Sequence, residues 1–446
     1  MVHVLQILLG LFVLGVLVIV HELGHFLFAK LFGIRVLSFS IGFGKVLLKK
    51  TIGETEYRIS AIPFGGYVHM AGEHPDDPGG AADDEFNAKP VWQRACVAVA
   101  GPGFNYLFAL FCLWLSFVIG VEQPLYLDNP SVGYVADSSA AADAGILPGD
   151  RIISINGGPV SDWTTVEKAF TNLKTDFAVT LERDGRRLNV RLVRPAIKDD
   201  RTVRHPTGGI SPLIPPVVGT LLPGSPAETA GILPGDSVTA VGGAAVTSWQ
   251  QFSSAVNRFD SASGSMRLTI SREGALFTFA VTPAYNRDAG RFLIGVNLAE
   301  QPVRVVRSGP IAAVPQSWNE AARMVALIFE SLDKLIRLEV SPRQLAGPVG
   351  IVQMSGGIAL MGLVRILNFM ALIGINLGLI NLLPLVITDG GLILFMAVEA
   401  LRGRPLPLKY QLIVNRAAIA FFIILAIFVT FNDLGRISTL FRMTGR

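Results

Sequence analysis

Residues Val4–Phe32 read VLQILLGLFVLGVLVIVHELGHFLFAKLF, and no residue from Val4 to Val20 is charged. About 20 consecutive apolar residues are enough to cross a bilayer as an α-helix, so this stretch predicts a membrane span. A cleaved signal peptide is the alternative for such a stretch. It is disfavoured because no basic segment precedes the stretch and no small-residue cleavage site follows it. We therefore expect a helix that stays in the membrane.

The stretch contains the pentapeptide HELGH, His21 to His25. On a helix the two histidines lie one turn apart on the same face. Both imidazoles can therefore reach one Zn²⁺ ion, and Glu22 beside them can accept a proton from water. Ionisable side chains inside a bilayer are costly, which makes an unpaired structural role unfavourable. Three polar residues at a helix end in the headgroup region are the alternative, but the apolar run continues through Phe26 to Phe28.

The composition fits a membrane protein that also has a globular part. Charged residues make up 16% of the 446 residues, against about 25% in an ordinary soluble protein. The residues AVILMFWYC make up 51%, which excludes a disordered chain, and two cysteines exclude a disulfide-stapled secreted domain. The net charge of +4 is attributed to cytoplasmic loops rather than to nucleic-acid binding.

Three more stretches are apolar enough to span a bilayer, Val91–Val121, Leu363–Leu385 and Leu412–Phe431, which gives four predicted transmembrane helices. A polar break separates the third stretch from a further apolar segment, Leu392–Leu401. Lys and Arg are concentrated in the loop after the first span and in the loop before the fourth. The positive-inside rule places both loops on the cytoplasmic side, and the termini and the central region on the outer side.

A third metal ligand is expected from another span, because a catalytic zinc usually has three protein ligands and one open position. Asp389 lies in the sequence NLLPLVITDGG, Asn381 to Gly391, and is the one carboxylate between residues 363 and 398. Pro384 and the Gly pair interrupt the helix there, as a buried non-helical turn requires. A plain Asp-Gly turn at the membrane surface is the alternative for Asp389 taken alone.

The central region contains an internal repeat. AADAGILPGDRIISINGGPVSDW (Ala141–Trp163) aligns with AETAGILPGDSVTAVGGAAVTSW (Ala227–Trp249) at a constant offset of 86 residues. Each copy combines a short helix, a Pro-Gly-Asp turn, a β-branched strand, a Gly-Gly turn and a second helix. The pattern resembles the bacterial form of the PDZ domain, which implies two tandem PDZ domains. They would bind peptides, for example C-termini, by strand addition, or act as a steric cover, and the sequence favours neither.

Further motifs occur along the chain. They are GFGK (Gly42–Lys45), FGGYVHM (Phe64–Met70), FNAKPVWQR (Phe86–Arg94) and AGPGFN (Ala100–Asn105). Together with HELGH and NLLPLVITDGG, they make the chain resemble the site-2 proteases, a family of intramembrane zinc metalloproteases. The resemblance implies zinc bound by His21, His25 and Asp389. It also implies Glu22 as the general base and Asn381 as a residue that holds the substrate strand or polarises its carbonyl.

The resemblance also implies a membrane-inserted β-hairpin at residues 36–70. Its edge, including Gly65, Gly66 and Tyr67, would pair with an unwound substrate. Asn105 matches a family Asn in the second span, for which a role in helix packing is favoured over catalysis.

Three residues near Asp389 depart from the family pattern. Thr388 stands where Leu is usual, Val386 where Pro is usual and Leu392 where His is usual. None of them removes a ligand, so the departures concern the turn geometry and substrate preference, not the metal site.

An amphipathic stretch follows the repeats. Its apolar residues step by three and four, which predicts a helix on the membrane or against the spans, with a soluble core helix as the alternative. The stripe consists of Trp318, Ala322, Val325, Phe329, Leu332 and Ile336.

These expectations combine into a multi-pass α-helical membrane protein with four transmembrane helices, a membrane-associated β-hairpin, and two tandem PDZ domains of α+β type between spans two and three. The expected segments are a first span at 1–33, a hairpin loop at 34–90, a second span at 91–121, PDZ domains at 125–208 and 212–300, an amphipathic helix at 310–345, a third span at 363–401 and a fourth at 408–433.

The family resemblance implies cleavage of single-span membrane proteins that have already been trimmed on the outer side. The implied substrates are an anti-sigma factor of the envelope stress response and remnant signal peptides. The implied location is the bacterial inner membrane, with PDZ domains and termini in the periplasm and the metal near the cytoplasmic side. Two other functions stay open: a PDZ scaffold with a vestigial metal site, which an intact ligand set disfavours, and a metal transporter, which more often shows repeats within its spans.

Overall fold

A computed structural model describes residues 2–73, 82–172, 176–193, 208–286, 290–337, 348–384 and 388–404, together with part of the stretch 407–430. The chain divides into two compact units. The first combines Met1–Val121 with Val306–Arg446, and the second is Glu122–Val305. Half of the expected fourth span, 408–433, lies outside the described residues.

Long helices make up most of the first unit, and short strands and helices make up the second. The α-helices are α1 (Val2–Leu31), α2 (Val91–Ile119), α3 (Ala140–Asp143), α4 (Trp163–Asn172), α5 (Pro226–Thr229), α6 (Trp249–Asn257), α7 (Pro310–Ile336), α8 (Pro348–Ala359), α9 (Leu363–Leu382) and α10 (Asp389–Arg402). The strands are β1 (Val36–Ile52), β2 (Thr55–Met70), β3 (Val121–Pro124), β4 (Val132–Val135), β5 (Arg151–Ile155), β6 (Gly158–Pro159), β7 (Phe177–Arg183), β8 (Arg186–Leu192), β9 (Ile210–Pro212), β10 (Val218–Leu221), β11 (Ser237–Val241), β12 (Ala244–Ala245), β13 (Met266–Arg272), β14 (Ala275–Val281), β15 (Ala284–Asn286), β16 (Arg291–Leu293), β17 (Val296–Leu298) and β18 (Val303–Val306).

Three of the described helices, α1, α2 and α9, are long and apolar enough to cross a membrane. Gly24 lets α1 approach α2, because a Cβ there would lie 2.3 Å from the carbonyl oxygen of Ala100. Gly378 lets α9 approach α2, because a Cβ there would lie 3.1 Å from the carbonyl oxygen of Pro102. Small residues at helix crossings allow the close backbone packing that holds helices together in lipid.

Strand β1 pairs with β2 along both of its edges, which a simple two-stranded hairpin does not do. The first part of β1 pairs on both sides, since Phe39 has Val68 as one partner and Tyr57 as the other. The last part of β1 pairs with the first part of β2. Within the described residues, the strand that pairs with the 66–70 segment of β2 is the first part of β1, so this segment is an edge strand of the sheet.

Helix α7 packs through a face that only partly coincides with the expected stripe. Met324, Val325 and Ile328 pack against the hydrophobic cluster of α1, α2 and α9. Trp318 and Phe329, which belong to the expected stripe, are 65% and 52% exposed. This helix has apolar residues on two neighbouring faces, and spacing alone does not decide which face is buried.

The sequence repeat corresponds to a structural repeat in the second unit. The strand order is β6-β5-β7-β8 in the first copy and β12-β11-β13-β14 in the second. The offset is 86 residues between Arg151 and Ser237, which begin β5 and β11, and 89 between Phe177 and Met266, which begin β7 and β13. Strand β9 pairs with β4, so the first copy extends to Pro212, beyond the boundary expected at 208.

Each copy contains the same ion pair, between a buried aspartate and a half-buried arginine. Asp236 accepts hydrogen bonds from Nε and Nη2 of Arg272, both at 2.7 Å, and from the backbone N–H of Leu233 at 2.8 Å. Asp150 accepts from Arg183 at 2.6 and 2.7 Å. Burial alone would raise the pKa of Asp236, but the hydrogen bonds from Arg272 and Leu233 outweigh it and hold this pKa below its ordinary value.

Candidate metal centre

The side chains of His21, His25 and Asp389 meet inside the first unit. His21 Nε2 lies 3.2 Å from Asp389 Oδ2, His25 Nε2 lies 3.3 Å from Asp389 Oδ1, and the two Nε2 atoms lie 3.2 Å apart. Both histidines are buried, and 19% of the Asp389 side chain is exposed. In the part of the chain that the structure describes, this is the one group of His, Cys, Asp or Glu residues with three converging ligand atoms.

Contacts between the start of α10 and the residue that follows α9 place Asp389 against the histidines of α1. Helix α9 ends at Leu382, and Asp389 is the first residue of α10. A Cβ at Gly390 would lie 2.1 Å from the carbonyl oxygen of Leu383, so only glycine fits there. Thr388 donates a hydrogen bond of 2.9 Å from Oγ1 to the same carbonyl. The departure at Thr388 therefore adds a hydrogen bond between the start of α10 and the residue that follows α9, whereas Val386 lies outside the described residues.

One face of α2 lies against the two histidines. His25 Nδ1 lies 2.8 Å from the Val97 carbonyl oxygen, and Asn105 Nδ2 lies 3.1 Å from His21 Nδ1. Gly101 is close to both histidines, because a Cβ there would lie 2.2 Å from His25 Nε2 and 2.9 Å from His21 Cε1. These three residues of α2 follow one another at intervals of four, as neighbours on one helix face do. The carbonyl of Val97 can only accept, so it keeps the proton of His25 on Nδ1 and leaves the Nε2 lone pair free.

The group fits a zinc ion. Ligand atoms at about 2.0–2.1 Å from a tetrahedral zinc ion are about 3.3 Å apart. The Nε2 atoms of His21 and His25 are 3.2 Å apart, and each lies 3.2 to 3.3 Å from one of the two carboxylate oxygens of Asp389. Two imidazoles and one carboxylate are also a donor set that catalytic zinc sites use.

Glu22 lines the same cavity as the three converging side chains. The cavity has a volume of about 260 Å³ and is lined by Glu22, His21, His25 and Asp389, among others. The backbone of Val68 forms a hydrogen bond with the Glu22 carboxylate. A reacting group in this cavity can therefore reach both the carboxylate and the three ligand atoms.

The end of β2 borders this cavity. Tyr67 lines it. A Cβ at Gly66 would lie 3.3 Å from Glu22 Cγ, so the backbone of β2 passes directly beside this carboxylate. Gly65 lies instead against the ring of Phe43, where a Cβ would be 2.2 Å from Cε2. The structure thus places Gly66 and Tyr67 at the cavity and Gly65 one step away from it.

Asn381 lies near the end of α9 and also lines the cavity. Its Nδ2 is 3.3 Å from His21 Nε2. The amide therefore lies next to the point where the ligand atoms converge, where it can donate to an oxygen atom that approaches this point. Leu392 lines the same cavity with an apolar side chain.

Sequence reasoning missed Gly101 and assigned Asn105 to helix packing. Both lie in AGPGFN, four residues apart, and HELGH has the same spacing between its histidines. Two helices that carry polar or small residues at matching intervals can lay those faces against each other. This shared spacing is the signal that would have connected the two motifs.

Comparisons with known proteins agree with this geometry. A family model described as Peptidase family M50 matches residues 9–425. The chain is 36% identical over 444 residues to "Regulator of sigma-E protease RseP" of Escherichia coli (strain K12), covering 95% of this chain and 97% of the relative. It is 32% identical over 447 residues to "Regulator of sigma E protease" of Haemophilus influenzae, covering 96% and 99%. It is 34% identical over 446 residues to a "Putative zinc metalloprotease" of Vibrio cholerae, covering 95% and 97%.

Proposed function

This chain belongs to peptidase family M50 and is a zinc metalloprotease of the site-2 type, and from this premise we propose that it cleaves the membrane-spanning segments of single-span membrane proteins. One observation carries the proposal. The ligand atoms of His21, His25 and Asp389 converge on helices of the same unit that contains three helices able to cross a membrane. A protease with its metal group among such helices meets substrates that are themselves in the membrane.

His21, His25 and Asp389 would hold the zinc ion. When bound, zinc supplies Lewis acidity that polarises a peptide carbonyl and makes water a stronger acid. The hydrogen bond from His25 Nδ1 to the Val97 carbonyl, 2.8 Å long, orients one imidazole towards the ion. Asn381 would donate from Nδ2 to the substrate carbonyl and hold it in place.

Glu22 would act as the general base and then as the general acid. Its carboxylate lines the cavity, so it can accept a proton from the attacking water and return it to the leaving amine. The hydrogen bond from the Val68 backbone keeps the carboxylate oriented. Replacing Glu22 with Gln therefore removes proton transfer while it leaves the three ligands in place.

The edge strand at residues 66–70 would bind the substrate as an added strand. Strand addition uses backbone hydrogen bonds, so it suits substrates of differing sequence. A substrate helix has to unwind first, because the backbone groups of a helix are already paired within it. Gly66 brings this edge beside Glu22, and Tyr67 lines the cavity next to it. A strand bound here would lie next to the general base.

The names of the relatives point to the substrate class. Two of the similar proteins are named as regulators of sigma E. We infer that the substrate is an anti-sigma factor of the envelope stress response whose outer domain has already been removed. Remnant signal peptides are a second substrate class of the same chemical kind, a single apolar span.

The two copies in the second unit would be tandem PDZ domains. They are inserted between α2 and α7, and we place them, with both termini, on the outer side of a bacterial inner membrane that the chain crosses four times. There they would exclude substrates that still carry a folded outer domain, or bind peptide C-termini. Deleting residues 125–300 should allow untrimmed substrates to be cleaved, and unchanged selectivity would contradict a role as a filter.

A cleavage assay in membranes tests the proposed function. A tagged single-span substrate without its outer domain is co-expressed with the wild type, with Glu22→Gln and with Glu54→Gln. Glu54 is an exposed carboxylate in the turn between β1 and β2 and serves as the matched control. We expect a shortened fragment with the wild type and Glu54→Gln and none with Glu22→Gln. Equal cleavage by all three proteins would show that the activity is not that of this site.

A further inference from the structure

Asn105 lies in an unusual position for a buried amide. It is fully buried on α2, and its Nδ2 lies 3.1 Å from His21 Nδ1. Its Oδ1 is buried too and has no hydrogen-bond partner among the residues that the structure describes. Buried amide oxygens are almost always paired, so an unpaired one next to a histidine calls for an explanation.

The chemistry of His21 supplies the explanation. Its Nε2 points to the atoms of His25 and Asp389, so a cation bound there occupies the Nε2 lone pair. A neutral imidazole carries one proton, which is then on Nδ1 and needs an acceptor. Asn105 is the side-chain group that the structure places within hydrogen-bonding distance of Nδ1. A half-turn of its amide presents Oδ1, the atom without a partner, to this proton.

We propose that Asn105 is a positioning residue that fixes the metal-binding tautomer of His21 by turning its amide so that Oδ1 accepts the proton of Nδ1. This inference rests on the zinc site of the proposed function. The donors on the imidazole and on the amide then match, and the imidazole is held with Nε2 towards the ion, as outer partners of zinc ligands do.

The two histidines differ in this respect. His25 faces the carbonyl oxygen of Val97, which can only accept, so its tautomer does not change. His21 faces an amide that can donate from Nδ2 or accept at Oδ1. Whether His21 has the tautomer that binds metal therefore depends on the orientation of the Asn105 amide, which can turn.

Zinc affinity tests the proposal without any substrate. The full-length wild type, Asn105→Leu, Asn105→Asp and Ser116→Ala are purified in detergent, and their zinc dissociation constants are measured by competition with a chelator. Asn105→Leu keeps the approximate shape but has no acceptor, so we expect its affinity to fall by about 10- to 100-fold. Asn105→Asp retains an acceptor oxygen and should stay within a few-fold of the wild type. Ser116 is buried on the same helix and its hydroxyl donates to the Cys112 carbonyl of that helix, so Ser116→Ala should match the wild type.

The electronic spectrum of bound Co²⁺ gives a second readout. Asn105→Asp should reproduce the wild-type bands, whereas Asn105→Leu should shift them, because the orientation of one imidazole changes.

Wild-type affinity in Asn105→Leu, or an equal loss in the Leu and Asp variants, would overturn the proposal, since neither result needs an acceptor at position 105. If Asn105→Leu does not fold, Asn105→Asp decides by itself: a tenfold loss overturns the proposal, and retained affinity supports it. Failure of the wild type to cleave substrate would refute the proposed protease but would not alter this affinity pattern.

Discussion

Asp236, which is buried, and Asp389, which is half-buried, have opposite surroundings. Asp236, in the second unit, accepts hydrogen bonds from two nitrogen atoms of Arg272 and from the backbone of Leu233. Asp389, in the first unit, faces two histidine nitrogens that also lie 3.2 Å from each other. Around Asp236 both carboxylate oxygens meet donors, whereas at Asp389 the lone pairs of a carboxylate and of two histidine nitrogens converge.

The difference separates a structural polar cluster from a ligand site. A matched cluster such as that of Asp236 is complete within the protein, and its loss weakens the fold. A group of converging lone pairs such as that of Asp389 is completed by a cation. The same substitution at the two positions should therefore have opposite consequences.

The largest effect is expected for Asp389→Asn. The variant lacks a charged ligand and should lose proteolysis by more than about 100-fold, the upper range for loss of an outer partner of a metal ligand. Its fold should persist, because the neutral amide can donate to the neighbouring histidine nitrogens. Activity and zinc content per chain are measured together, with the exposed Asp83→Asn as the control. A variant with full zinc content would contradict the assignment of this ligand.

A smaller effect, on metal affinity, is expected for Gly101→Ala. The added methyl group would lie 2.2 Å from His25 Nε2 and has to displace a ligand, so zinc affinity should fall at least tenfold. Gly103→Ala is the matched control, because nothing lies within 4 Å of a Cβ at that position. Chelator competition should show normal affinity in the control. Equal affinities in the two variants would mean that α2 does not approach the histidines as described.

Asp236→Asn should leave metal binding unchanged and destabilise the second copy. Its amide presents a donor to Arg272, so a buried hydrogen-bond partner is lost, at a cost of about 1–3 kcal/mol. Hydrogen exchange of the full-length protein should show faster exchange in β11 and β13, while zinc content stays normal. Exposed Asp143→Asn serves as the control. Unchanged exchange in Asp236→Asn would show that the Asp236–Arg272 pair does not stabilise the second copy.

The smallest effect is a pH dependence of the same ion pair. The folded pKa of Asp236 is below its ordinary value, because the hydrogen bonds from Arg272 and Leu233 outweigh its burial. Its contribution is therefore present above the unfolded pKa of about 3.9 and is lost as the pH falls through the folded pKa. The protection difference between wild type and Asp236→Asn should narrow below about pH 4. A difference that grows with acid would contradict the sign.

The sequence was most informative where a short motif has a fixed local geometry. HELGH requires only a helix to bring His21 and His25 to one face, and Asp389 was the one carboxylate available in its apolar segment. The family and the zinc-dependent peptidase activity expected from these motifs are confirmed by the match to Peptidase family M50 and by the similar proteins. The repeat was visible because its offset is constant over most of its length.

What the sequence could not provide depends on packing between elements. Gly101 and Asn105 face the histidines only because α1 and α2 cross closely at Gly24. The double pairing of Phe39 depends on register shifts that have no local signal. The apolar stripe of α7 did not indicate which of its residues pack against other helices: Val325 does, whereas Trp318 is exposed.

X-ray absorption at the zinc edge tests the central claim most directly. The full-length wild type, loaded with zinc and freed of excess metal, is compared with Asp389→Asn. We expect about one zinc ion per wild-type chain, with scattering from two imidazoles and additional oxygen atoms, and a reduced zinc content in the variant. A wild-type zinc shell without imidazole scattering, or an identical spectrum and zinc content in Asp389→Asn, would contradict a metal centre formed by His21, His25 and Asp389.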